Sequence, residues 1–498
     1  MIYSLIFLII LTVKILPYIR GNFQCHDSFY HFAIANDIKR DGSRRNSGKH
    51  FIFEGNIDYP PAVHYFLAIL PRYFHKRYRI VLAALEGINA LLLFSLFEYF
   101  LGSNFLALCG VLFFFFQFNV WDWSRMLTPY IFSLFSFYLY VGGLLIFYVT
   151  SDITFLFLSV TGYVLAFFTH RMLYFYLIII PLVAFFTAKS VLYLLPPLTV
   201  AVLFSFKYPF YYFKSFITMT WVNIKLYPII KERSNWLTPG YYFSKVLDIP
   251  LEKKDKGEKV SIRQRLKAIR PLDRYYLLNF IPICILIFVS LFHKNGHVGE
   301  NILFKNIILA SLSFNLAAWL IRPLGQTISR GNIAYYHYMA PLYILYLLLN
   351  GDSMVFALFI PLFAVNLVKV ARFIINNINN ADKIRTRYNQ REFCETMQYL
   401  GELEPGVLFT LPHSEYMHPI LYYTRHKCMD VAERKGDYTE KTKYFYGRLM
   451  IPLSDLVEKY DINYIMVENS FIPECFFKYL DPYRKIFWND LYSVYKAR

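Results

Sequence analysis

The chain is 498 residues long, 56% hydrophobic and 20% aromatic, with 17% charged residues and a formal net charge of +18. A soluble domain, usually about a quarter charged, could not hide that much apolar surface. The apolar residues gather in blocks of about 15 to 23, the length that crosses a hydrocarbon core of about 30 Å. The excess of Lys and Arg lies between these blocks without a zinc-finger or recognition-helix pattern, which argues against nucleic acid and for anionic head groups and phosphates as partners.

Six cysteines, Cys25, Cys109, Cys284, Cys394, Cys428 and Cys475, show no CxxC pair and no regular spacing, so neither a zinc knuckle nor a disulfide framework is implied. The first block, Ile2 to Tyr18, has no basic leader or small-residue cleavage site and reads as a retained span. In chain order the blocks predict eleven spans, starting near Ile2, Ile80, Phe105, Leu127, Ile153, Met172, Val191, Leu277, Ile302, Tyr335 and Val355. The fold class is thus mainly α, a polytopic transmembrane helix bundle over 1–380 with a first loop at 20–79 and a long loop at 207–276. The connections after odd-numbered spans are the long ones, and those on the other side are stubs such as Gly102-Ser103-Asn104. Any chemistry therefore belongs to one face.

The loop Lys207 to Tyr276 holds fifteen Lys and Arg against six Asp and Glu, and charge counting would place it in the cytoplasm. Its core, Glu252 to Lys259, is too polar to pack and reads as a mobile lid or a solvated tether. From about 381 to 498 the pattern changes to short apolar runs and more charge. Strands at Gly406–Leu411 and Tyr464–Val467, a helix at Leu453–Tyr460 and a hairpin around Asn489-Asp490 predict a small soluble α/β domain.

Three stretches could carry chemistry. After the first span, Asp27, Tyr30, His31 and Ile34 share a helical face, which offers a general base or, with the imidazole, a ligand for a divalent cation. Asp27 reads equally well as a helix cap. Asp58-Tyr59-Pro60-Pro61 with His64 closes the same loop, and the prolines alone suit an ordinary turn into a helix. Trp121-Asp122-Trp123-Ser124-Arg125 puts an acid and an arginine beside interfacial tryptophans, although an Asp122–Arg125 surface pair explains them too. His170-Arg171, Arg322, Arg330 and His337 follow on the same side, and an arginine fork matches phosphate oxygens.

Asp27-Ser28-Phe29-Tyr30-His31 after a first span, the Tyr59-Pro60-Pro61 re-entry, a long basic loop after the seventh span, an arginine before the Tyr-rich span around Pro341 and a terminal α/β domain together resemble the GT-C superfamily of polyprenyl-phosphate-sugar-dependent integral membrane glycosyltransferases. The order of features covers most of the chain; the motif match is confined to short stretches. The resemblance implies Asp27 and Asp122 as catalytic acids, and the stretches read above place Tyr30, His31, Asp58, His64, Arg125, Arg171, Arg330 and His337 around the substrates. It implies a polyprenyl-phosphate sugar donor, a glycan, lipid or protein acceptor, and an extracytoplasmic site, against the charge count. A divalent cation, Mg or Mn, would fall to Asp27 and Asp122. The Trp-Trp-Asp motif of the superfamily's oligosaccharyltransferases is not matched by Trp488-Asn489-Asp490, which favours transfer of a single sugar. A polysaccharide polymerase or ligase is the rival enzyme. A transporter is the rival of another class, kept open by Glu86 and Glu98 inside the second span.

Overall fold

A computed structural model describes residues 2–18, 26–43, 49–53, 59–71, 74, 77–117, 120–121, 127, 129–204, 210–211, 214, 217, 242–247, 280–288, 302–320, 325–350, 353–379, 388, 390–431 and 449–498. Within these, the side chains of 18, 26–27, 53, 317–320, 325–335, 353–356, 358, 414–415 and 430–431 fall outside the description. The structure is mainly helical, with one six-stranded sheet.

The bundle is built from α1 (Ile2–Ile15), α4 (Tyr78–Leu101), α5 (Asn104–Phe115), α6 (Pro129–Thr150), α7 (Ile153–Thr169), α8 (Tyr174–Ala188), α9 (Leu195–Leu203), α10 (Ile302–Leu320), α11 (Gly325–Leu349) and α12 (Ser353–Asn379), with a further helical stretch at 280–288. Among the described residues four helical stretches, Tyr78–Leu101, Pro129–Thr150, Arg171–Ala188 and Phe359–Asn379, are long and apolar enough to cross a membrane, and six more apolar helices are shorter. Such helices are compatible with a membrane protein. One boundary differs from the sequence reading: α11 starts at Gly325, ten residues ahead of the expected Tyr335. Gly325-Gln326-Thr327-Ile328-Ser329-Arg330-Gly331-Asn332 is too polar and glycine-rich to look like a span, yet it contains no proline to stop a helix.

The tightest helix pair is α6 with α7, and small residues explain it. A Cβ on Gly162 would stand 2.3 Å from the Tyr140 nitrogen, and one on Gly143 would stand 2.7 Å from the Phe155 carbonyl oxygen. The two backbones approach as small-residue seams allow in a lipid environment, where no hydrophobic force drives one helix onto another.

Between α1 and α4 lie α2 (His26–Asp41), β1 (Phe51–Phe53) and α3 (Ala62–Ile69). The C-terminal domain adds α13 (Arg391–Glu402), β2 (Val407–Leu411), α14 (His413–Tyr423), β3 (Lys427–Val431), α15 (Leu453–Tyr460), β4 (Ile462–Glu468), β5 (Arg484–Trp488) and β6 (Tyr492–Lys496). Sheet order is β1-β3-β2-β4-β6-β5. The first four strands in that order run parallel and the β5–β6 hairpin is antiparallel. The expected strands, helix and hairpin of the domain are all present. What the sequence did not suggest is β1, a strand of the first loop that pairs Phe51 with Cys428 at the sheet edge.

Side chains alternate across the sheet with the period of two that strands impose. Leu408, Tyr464, Met466, Tyr492 and Val494 face one core, shared with α13, α14 and residues Phe29, Tyr30, Ala33, Ile34 and Ile38 of α2. Phe409, Leu411, Ile465, Val467 and Tyr495 face the other, where Tyr242 and Phe243 of the long loop pack with Phe471 and Phe476. Phe51–Phe53 of the first loop and Tyr242-Phe243 of the long loop therefore both join the C-terminal sheet and its core. Asp37, near the end of α2, accepts from Arg40 and pairs with His50 at 3.0 Å, fastening the approach to β1.

Two expectations follow. Gly→Ala in a helix normally stabilises by about 1 kcal/mol, but Gly162→Ala meets the α6 backbone at Ser136, Leu139 and Tyr140 and should cost about 1–3 kcal/mol, as overpacking does. A raised melting temperature of the detergent-solubilised variant would contradict the close α6–α7 approach. The second concerns His426, whose Nδ1 accepts from the Gly406 N–H at 3.1 Å while Nε2 donates to the Leu400 carbonyl at 2.8 Å. Burial lowers its pKa, opposed by the bond to the Leu400 carbonyl. The unfolded chain therefore takes up the proton first, from about pH 6.5 downward. Stability present above that pH is lost as pH falls toward the folded pKa. Melting temperature measured from pH 7.5 to 5 should drop more steeply in the wild type than in His426→Gln.

Candidate functional site

Nothing interrupts helix formation between His26 and Asp41, which contains neither Gly nor Pro, so the second turn of α2 carries Tyr30 and His31 in fixed register. Pro61 occupies the N-cap of α3 with helix-compatible dihedrals (φ −81°, ψ −25°), and three residues later His64 is fully buried. The two imidazoles meet, His31 Nδ1 lying 3.0 Å from His64 Nε2, so one ring donates its proton to the other. The Tyr30 ring stands 5.5 Å from His31, 6.4 Å from His64 and 5.0 Å from His418 of α14. First loop and C-terminal domain thus touch at the same cluster.

Tyr59 joins this cluster to the bundle. Its ring lies edge-on to His31 at 5.4 Å, stacks on His170 at 6.2 Å, and carries the Arg171 guanidinium 4.8 Å from its centroid. His170 ends α7 in an extended conformation (φ −148°, ψ 121°), and a short turn, Arg171–Leu173, leads into α8. The imidazole is anchored in the bundle: Nδ1 lies 2.5 Å from the Tyr338 hydroxyl, which also bonds Ser133 Oγ. The Tyr338 carbonyl in turn accepts from the Tyr138 hydroxyl. Burial first, then the charge of Arg171 and the proximity of His31, push the His170 pKa down to about 3. At neutral pH it is an uncharged imidazole beside a permanent cation.

The structure brings together four of the expected site residues, Tyr30, His31, His64 and Arg171. His337 is fully buried inside the bundle, its ring 5.5 Å from Tyr130 and 6.0 Å from Tyr336. Tyr130 also stands 5.2 Å from Tyr338, linking His337 to the same network. Asp27 lies in the first turn of α2 and Arg330 within α11, their side chains outside the description. Asp58, Asp122 and Arg125 lie outside the described residues, as does the polar core of the long loop. Among the described residues no group of three His, Cys, Asp or Glu side chains could hold a metal ion.

Tyr59, His170, Tyr338 and Ser133 were not singled out as site residues. Tyr59 read as part of a proline turn and His170 as a companion to Arg171; only the fold shows that they stack. Tyr338 sits in an aromatic run, Tyr335-Tyr336-His337-Tyr338, where sequence offers no reason to prefer one ring.

Because Tyr59 holds His31, His170 and Arg171 on one ring, Tyr59→Leu should destabilise the protein by about 1–3 kcal/mol, the sum of aromatic-pair and cation–π terms. Tyr59→Phe should lose less. Denaturation of both variants in detergent checks the order, and equal losses would show that the ring contacts contribute little. No family model matches the chain, and no match is found among curated proteins.

Proposed function

We propose that this protein is a membrane glycosyltransferase of the GT-C type, which moves a sugar from a polyprenyl-phosphate donor to a glycan, lipid or protein acceptor. The observation that carries the reading is the meeting of α2 with the Arg171 turn. Asp27 lies one turn before His31, His31 touches His64 and Tyr59, and Tyr59 bears Arg171. An acid-bearing helix and a phosphate-matching cation thereby converge at one end of the bundle, beside the C-terminal domain. The reading includes eleven spans and a site on the extracytoplasmic face.

In this mechanism the Asp27 carboxylate takes the proton of the acceptor hydroxyl as its oxygen attacks C1 of the sugar. The C1–O bond to the carrier breaks, and its electron pair leaves with the phosphate. Arg171 and Arg330 meet the charge that develops there, an electrostatic contribution that grows toward the transition state. Asp58, Asp122, Arg125 and His337 complete the proposed polar surround.

The transporter alternative rested on acids within α4. Both are engaged by α1: Glu86 pairs with Lys14 at 2.9 Å, and Glu98 accepts from the Tyr3 hydroxyl at 2.7 Å. Lys14 also lies 4.4 Å from the Trp121 ring. Such internal pairing supports a structural role for these charges. A polymerase or ligase would use the same donor and differ in product, a chain of repeats in place of one added sugar.

The test is sugar transfer from radiolabelled polyprenyl-phosphate sugars to an acceptor extract by the purified protein. Asp27→Asn keeps shape and capping ability, so its melting temperature should be unchanged while turnover falls about a hundredfold or more, as for a lost general base. Near-normal turnover would return Asp27 to a helix cap. A labelled polymer would select the polymerase reading.

A further inference from the structure

The hydrogen positions around His170 can be assigned by counting protons. Ser133 has one hydroxyl proton, and its Oγ lies 2.8 Å from the Tyr130 carbonyl, an acceptor with no proton to offer. Of the two orientations open to the Ser133–Tyr338 pair, the one that keeps the Ser133 proton on the Tyr130 carbonyl makes Ser133 Oγ the acceptor and the Tyr338 hydroxyl the donor. Tyr338 then has only an oxygen lone pair for His170, and the 2.5 Å contact requires a proton on His170 Nδ1. The ring is uncharged, burial holding its pKa near 3, so a proton on Nδ1 means none on Nε2. The two nitrogens point in nearly opposite directions. Tyr59 covers the flat side of the ring and Tyr338 its Nδ1 edge, which leaves the Nε2 edge as the remaining polar contact.

We infer that His170 is a binding residue whose unprotonated Nε2 accepts a hydrogen bond from a sugar hydroxyl, in a tautomer fixed from behind by Tyr338 and Ser133. This rests on the glycosyltransferase reading, which places a sugar beside the Arg171 turn. His170 keeps its one proton on Nδ1 toward Tyr338 and carries none on Nε2, so it acts on the sugar only by orientation. It lies between Thr169, where α7 ends, and Arg171, so a single turn offers an acceptor for a hydroxyl next to a cation for phosphate. An acceptor held in one orientation discriminates against sugars lacking the matching hydroxyl, because their hydrogen bond to it is lost.

Two independent measurements test this. Nitrogen and carbon NMR of histidine-labelled full-length protein in lipid nanodiscs reports the tautomer, with the His170 signal assigned by its loss in His170→Asn. The expected signal at pH 7 is the Nδ1-protonated form, uncommon in free histidine, and it should vanish in Tyr338→Phe. An Nε2-protonated His170 overturns the inference whatever the enzyme does. In the transfer assay, His170→Asn retains a donor near the Nδ1 position but nothing at Nε2. It should raise KM about tenfold for whichever substrate supplies the hydroxyl, the worth of one hydrogen bond, while His170→Gln, which loses the same stack on Tyr59, controls for any fall in melting temperature. His170→Gln, which places an amide near Nε2, should stay within about threefold. Titrating donor and acceptor separately identifies the source. A KM in His170→Asn equal to wild type for both substrates overturns the binding role. Absence of any transfer by wild type removes the enzyme reading and the sugar hydroxyl with it, while the nitrogen spectrum still decides the tautomer.

Discussion

Helix α2 is buried against two cores at once, and the arrangement of the rest depends on it. Phe32 and Ala35 belong to the core of the bundle, whereas Phe29, Tyr30, Ala33, Ile34 and Ile38 belong to the core under the C-terminal sheet. A helix that is apolar on most of its circumference can be stable only when covered on most sides. Here one cover is supplied by the bundle and the other by a domain more than 350 residues later in sequence. The sheet has the converse requirement. Its two apolar faces need covering, and α2 on one side and Tyr242-Phe243 on the other supply part of that cover. Loops and domain are thus each incomplete without the other, so β1 joining the sheet edge is a consequence of packing.

The same economy governs the polar interior of the bundle. With no water in a hydrocarbon core, hydroxyls and amides must find partners within the protein. Asn315 donates to the hydroxyls of both Tyr176 and Tyr343, Tyr343 donates to Ser311, Tyr336 donates to Gln117, and Asn89 donates to the Ile131 carbonyl. Tyrosine suits this use, since its ring fills space as phenylalanine does while its hydroxyl ties one helix to the next. The chain from Ser133 through Tyr338 to His170 is the stretch of this network that reaches a junction between spans. A site at that junction inherits the rigidity of the bundle through hydrogen bonds rather than through backbone alone.

How much of this was legible follows from which interactions are local. Apolar runs mark the helices because each must be apolar along its own length, so helix starts near Ile2, Ile153 and Ile302 could be read directly. The hairpin was legible because Asn489 sits in its turn and accepts from the Leu491 and Tyr492 N–H groups, a pattern confined to four residues. β1 was not, because three residues carry no period and the strand's partner is Lys427–Val431. The start of α11 was missed because its first turns are polar and so carry no apolar signal. At the site, the common face of Tyr30 and His31 followed from helical spacing, but His31 meeting His64 and Tyr59 bridging to His170 are set by tertiary packing alone. Tyr30 illustrates the boundary between the two. Spacing placed it beside His31, yet its ring also lies against His418 of a domain whose position no local pattern specifies.

These links bear on how an acid at the head of α2 would be positioned. Helix α2 is gripped by α14 and by α3, with Asp37 tied to Arg40 and His50 near its far end. Moving Asp27 relative to Arg171 would require α2 to slide against α14, disturbing Phe29 where it meets Tyr388, Tyr422 and Tyr423. Close-packed interiors resist such sliding because interdigitated side chains have discrete, not continuous, arrangements. The C-terminal domain accordingly does more than cap the bundle. By holding α2 it sets the distance between the first-loop acid and the arginine turn, and the geometry of the proposed site therefore resides in residues that no substrate touches.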